Sequence, residues 1–128
     1  MAKTRIELEY HFNTKPKVLF PRLSTVDGLN EWFADDVQME ENVYTFKWGS
    51  EERSAEILYV KDLKTVRFKW LDDDDESVET YFEFSLSTTE LTDDLALEIV
   101  DYTEDDEVEE MQDLWNAQIT TLKRILGA

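Results

Sequence analysis

Residues 104–126 read EDDEVEEMQDLWNAQITTLKRIL. Within them Val108, Met111, Trp115, Ile119, Leu122 and Leu126 recur at three- and four-residue spacing, the stripe of an amphipathic helix that buries one face. The flanks agree with a helix from Glu104 to Leu126. Thr103 followed by Asp106 has the spacing of a capping box, and the acids from Glu104 to Glu110 sit where a helix dipole favours anions. Lys123 and Arg124 sit near the opposite end, and Gly127 stops the helix. At about 1.5 Å per residue such a helix is on the order of 34 Å long, enough to cross a sheet.

A helix with one apolar face needs a surface to cover, and the preceding chain supplies one. Val78, Thr80, Phe82, Phe84 and Leu86 alternate with Glu79, Tyr81, Glu83 and Ser85, the period-2 pattern of a strand with one wet face. Leu95, Leu97 and Ile99 alternate with Ala96, Glu98 and Val100 in the next strand. Upstream, Tyr44, Phe46 and Trp48 share a face, as do Val66, Phe68 and Trp70, and a longer strand runs from about Arg53 to Val60. A short strand spans Val37 to Glu40. Short polar turns join these segments, so they are expected to pair as an antiparallel meander, apolar on one face and charged on the other. At the N-terminal end, Ile6, Leu8, Tyr10 and Phe12 alternate with Glu7, Glu9 and His11. Pro16 suits the first turn of a short helix, which Pro21 is expected to break or kink. Ser24 and Thr25 are candidate caps for a second short helix of roughly Val26 to Ala34. The expected fold is α+β: a curved antiparallel sheet of about six to seven strands around a long C-terminal helix, with two short helices after strand 1.

Composition sets the outer limits. The chain has 128 residues, near the commonest domain size, and 41% are hydrophobic and 12% aromatic, so a single domain over 1–128 with a genuine core is expected. The formal charge is −18, from 31 acidic against 13 basic side chains. Such a field repels phosphate backbones and anionic headgroups, which argues against nucleic acid and membrane surfaces as partners. Cysteine is absent, which excludes disulfides and thiolate chemistry. The first residues carry no apolar run after their basic groups and no stretch is long enough to span a bilayer, so a cytoplasmic protein is expected.

Leu29-Asn30-Glu31-Trp32-Phe33, followed by two hairpins and then Val66-Arg67-Phe68-Lys69-Trp70, is similar to the branch of the START and birch-pollen-allergen superfamily that includes homologues of the heat-shock-chaperone ATPase activator. The element order resembles the helix-grip fold of that superfamily along essentially the whole chain. The turns at Glu41-Asn42 and Asp62-Leu63 lack the glycines common there. The resemblance implies an apolar cavity between sheet and long helix. Its candidate walls are Phe46, Trp48, Tyr59, Trp70, Phe82 and Phe84 from the strands, with Met111, Trp115, Ile119 and Leu122 from the helix. Trp32 and Phe33 would close one end. The same side chains could instead simply fill a core, because aromatics bury about 150–250 Å² each.

No catalytic constellation is legible. The single histidine, His11, falls on the charged face of its strand, no inward-facing Asp or Glu stands out, and the serines have no nucleophile elbow. Asp72-Asp73-Asp74-Asp75-Glu76 is rich in hard oxygen ligands but lacks the spacing, glycine and distal Glu of an EF-hand, and no metal or cofactor is expected. The leading reading is therefore a non-enzymatic START-like module that binds a small apolar or amphipathic ligand. The alternative is an acidic, chaperone-associated interaction module for a basic protein partner. A polyketide-cyclase-type enzyme is a third reading, and would need polar side chains inside the cavity. The sequence leaves the oligomeric state open.

Overall fold

The computed structural model describes residues 3–71, 80–88 and 94–127. The chain runs β1 (Lys3–Phe12), α1 (Pro16–Ser24), α2 (Val26–Trp32), β2 (Asp36–Glu40), β3 (Val43–Trp48), β4 (Glu51–Lys61), β5 (Thr65–Trp70), β6 (Tyr81–Thr88), β7 (Leu95–Glu104) and α3 (Val108–Leu126). The strands form one antiparallel sheet in the order β1-β7-β6-β5-β4-β3-β2. That is a six-stranded meander whose last strand pairs with the first, with α3 packed against β1, β7 and α2. The α+β helix-grip architecture expected from the sequence is the one observed. The Asp72–Glu76 run and Val78 lie outside the described residues. Among the described residues no helix is long and apolar enough to cross a membrane.

Alternation places the core. Phe46, Phe68, Phe82 and Phe84 are fully buried on one face of the sheet, and Phe68 stacks on Phe82 with ring centroids 4.7 Å apart. Each such ring contributes about 1.5–3 kcal/mol by leaving water. Trp115, Ile119 and Leu122 of α3 close the core from above. Leu19, Phe20 and Leu23 of α1 join Leu29 and Trp32 of α2 at one end. Pro21 lies inside α1 without ending it. Thr25 joins the two short helices in both directions: its hydroxyl donates to the Pro21 carbonyl at 2.7 Å and accepts from the Gly28 N–H at 3.0 Å.

Two expectations are corrected. The long helix begins at Val108 rather than Glu104, because β7 continues through Glu104 and a 3-10 turn covers Asp105–Glu107. The register Thr4↔Thr103 and Lys3↔Glu104 gives that backbone a strand partner, which outweighs the helical signals of an acidic run. Thr103 is consequently a buried strand residue, not a cap, and Glu107 at the true N-cap makes no side-chain capping bond. At 19 residues the helix is about 28 Å long. The second correction concerns β4, where the register shifts between Ile57 and Tyr59: Ile57 pairs with Phe68 but Tyr59 pairs with Arg67. The extra residue moves Tyr59 to the outer face. The turns without glycine adopt left-handed backbone, with φ of 57° at Glu41 and 63° at Leu63.

Candidate functional site

The alternation of β7 does not stop at Ile99. Leu95, Leu97, Ile99, Asp101 and Thr103 are all buried, so a strand that begins as core ladder ends by carrying a carboxylate inward. Asp101 is 3% exposed. Its Oδ1 accepts from the Trp70 indole at 3.0 Å and from the Tyr102 backbone N–H at 2.8 Å, and its Oδ2 accepts from the Trp115 indole at 3.1 Å. Three strands and the long helix thus converge on one acidic group, since Arg53 of β4 also lies close enough to favour its charged form. Burial is the larger influence and pushes the Asp101 carboxyl above the ordinary carboxylate range. The Arg53 guanidinium rests 3.7 Å from the centroid of the Trp70 ring.

Beside this group, between the open end of the sheet and the first half of α3, lies a cleft of about 260 Å³ that opens to solvent. Of the residues expected to form the walls, Phe33, Trp48, Trp70, Met111 and Trp115 line it. Glu51, Arg53, Asp101, Leu114 and Gln118 complete the lining. Phe33 is held by its carbonyl, which accepts from the Trp48 indole and from the Gln118 amide, each at 2.7 Å. Its ring stands 5.6 Å from that of Trp115 and 5.5 Å from that of Trp48.

Trp32, Phe46, Phe82, Phe84, Ile119 and Leu122 are buried but do not line the cleft. They are packed core. Tyr59 is on neither surface: it is 45% exposed on the outer face, its hydroxyl donating to Glu83 at 2.8 Å. The bulge in β4 is the physical reason. The reading that no inward-facing Asp or Glu stands out is corrected by the buried Asp101, and Arg53 and the exposed Glu51 also line the cleft. Asp101 could have been found by extending the period of Leu95, Leu97 and Ile99 by one more step. His11 stays exposed on the outer face, 3.1 Å from Glu9. Chemically, the cleft offers flat aromatic walls, a buried acceptor and charges of both signs.

The START-like superfamily domain profile matches residues 1–128. The solution structure of BfR322 from Bacteroides fragilis is 41% identical, covers 98% of this chain and 93% of its own, and superposes with a TM-score of 0.65. The Aha1 dimer from Colwellia psychrerythraea shares 20% identity over 94% of this chain and 93% of its own, with a TM-score of 0.80. The AHSA1 protein from Silicibacter pomeroyi shares 22% over 97% and 98%, with a TM-score of 0.68. At those identities the last two show the shared fold. None of the functionally curated proteins matches this chain.

Proposed function

Because this chain belongs to the START-like superfamily, we propose that it is a non-enzymatic module binding a small amphipathic molecule in the cleft between sheet and C-terminal helix. The observation that carries this reading is the cleft itself. Aromatic walls meet a buried, hydrogen-bonded carboxylate at one end of a closed core, and convergent polar groups in an apolar pocket are the usual form of a small-molecule site. Its volume of about 260 Å³ lies below the roughly 300–1,000 Å³ of sites for drug-sized ligands, so the ligand is of single- or fused-ring size. Native mass spectrometry of gently extracted protein, with an NMR titration using benzyl alcohol as a neutral probe, tests it. Bound small molecule, or shifts centred on Met111, Leu114 and Gln118 that Trp48→Ala abolishes, is the expected result. The absence of both a co-purifying mass and localised shifts would end the proposal.

A second reading rests on a separate observation. Asp105, Asp106 and Glu107 precede α3, and Glu109, Glu110 and Asp113 are exposed along its first turns, which concentrates acid where a basic protein partner could dock. Capture of such a partner should weaken steeply as salt rises, because exposed charges are screened within about 10 Å at 0.1 M ionic strength. Salt-insensitive capture, or no capture at low salt, removes this reading.

A further inference from the structure

We infer that the cleft selects a small aromatic cation: a planar ring held among Trp48, Trp115 and Phe33, with its cationic N–H group between Asp101 and Glu51. The inference rests on the cleft being a ligand site and adds the charge and shape of what enters it.

Three observations on the lining lead there. First, the protein already shows how this wall receives a planar cation. The Arg53 guanidinium lies 3.7 Å from the Trp70 ring centroid, and the same indole donates to Asp101, so ring face and carboxylate act together on one delocalised positive group. Two further indoles, Trp48 and Trp115, line the same space. Second, among the described residues the ionisable lining is two acids, Glu51 and Asp101, and one base, Arg53. A cation brings that count to balance. An anion paired with Arg53 would lie beside Glu51 and a carboxyl whose charged form burial already disfavours, whereas a cation beside Asp101 stabilises that charged form. Third, the chain carries a formal charge of −18, which concentrates small cations around it and speeds their arrival. The narrow volume excludes long-chain amines and leaves room for a single ring with its head group.

Benzamidinium, benzamide and benzoate share one shape and differ in charge. They are titrated at low ionic strength against tryptophan fluorescence and amide shifts, with methylguanidinium as a cation that has no ring. The expected order places benzamidinium at least tenfold tighter than benzamide, with benzoate weakest and methylguanidinium no tighter than benzamide. Glu51→Gln, at an exposed position, should cut the advantage of benzamidinium over benzamide several-fold. Asp101→Asn, first checked for native near-UV circular dichroism, should reduce it further. Equal binding of the three probes, or benzoate binding tightest, overturns the charge selectivity and leaves the cleft standing as a ligand site. Methylguanidinium binding as tightly as benzamidinium reduces the effect to surface charge and also overturns it. If no probe perturbs the cleft, both this inference and the proposed function fall.

Discussion

Gly28→Ala sets two well-understood effects against each other at the junction of α1 and α2. Helix propensity alone favours the alanine by about 1 kcal/mol. The packing opposes it: a Cβ at position 28 would stand 2.1 Å from the Pro21 carbonyl oxygen and 2.5 Å from the Arg22 Cα. Ordinary contacts begin near 3.4 Å, so α2 must retreat from α1 by about 1.3 Å, and the obstructing atoms are backbone that cannot rotate away. Overpacking of this kind costs about 1–3 kcal/mol. The retreat also stretches two hydrogen bonds that cross between the helices, Trp32 Nε1 to the Arg22 carbonyl and Thr25 Oγ1 to the Pro21 carbonyl, each at 2.7 Å and each worth about 1 kcal/mol. The net expectation is a loss of about 2–4 kcal/mol in urea unfolding, with an unchanged slope. A weakened near-UV signal should accompany it, because Trp32 and Phe33 sit on the segment that moves. A variant as stable as the parent, or more stable, refutes the close crossing of the two helices and with it the way one wall of the cleft is held.

Three other measurements probe separate parts of the argument. Burial raises the Asp101 carboxyl above its unfolded value of about 3.9 in the folded protein. Its contribution to stability is therefore fully present below that unfolded value and is lost as pH rises through the folded one. The stability of the parent minus that of Asp101→Asn should fall with rising pH over this interval, and a flat difference counts against burial as the dominant influence. Leu63→Gly relieves a left-handed residue at φ 63°, a conformation that costs an L-residue about 1–2 kcal/mol. After glycine's own entropy cost, the gain should be about 0.5–1 kcal/mol, and a lowered unfolding midpoint would contradict the turn geometry. Tyr59→Phe should change stability by less than about 0.5 kcal/mol and leave probe binding untouched. Loss of binding would return Tyr59 to the cleft wall.

The parts of the fold readable in advance were those in which one period runs unbroken. Phe82 and Phe84 on a strand, or Trp115, Ile119 and Leu122 on a helix, announce a buried face because every step of the pattern is apolar. The parts that escaped break a period for a local reason. In β4 one inserted residue reverses which side chains face inward, and nothing in Ile57-Leu58-Tyr59-Val60 marks it, since all four are apolar. At the β7–α3 junction the acids of 104–107 suit a helix start, yet the pairing of β7 with β1 depends on residues a hundred positions away. Asp101 was hidden for the opposite reason. It keeps the strand period but changes chemistry, and a polar residue in register with a core ladder is readily taken for the ladder's end. The cleft was legible only as a set of aromatics. Which of them pack solidly and which border empty space depends on how α3 sits against the sheet, and no local period in the sequence records that.

Among the described residues, the two side-chain bonds that α3 makes at the cleft come from Trp115 and Gln118, three residues apart and so on one side of the helix. Beyond them Ile119 and Leu122 are buried. Before them the first turns have no side-chain cap, and Leu114 is 52% exposed. The helix is thus fastened at its middle and along its second half, while among the described residues its first seven hold on chiefly through the half-buried Val108 and Met111. Amide hydrogen exchange should read this as a gradient, with Val108 to Leu114 opening first and protection rising from Trp115. Met111 and Leu114, two of the residues bordering the cleft, belong to the yielding part. The entrance is built on the half of the helix that can give way without unfolding the half that holds the sheet.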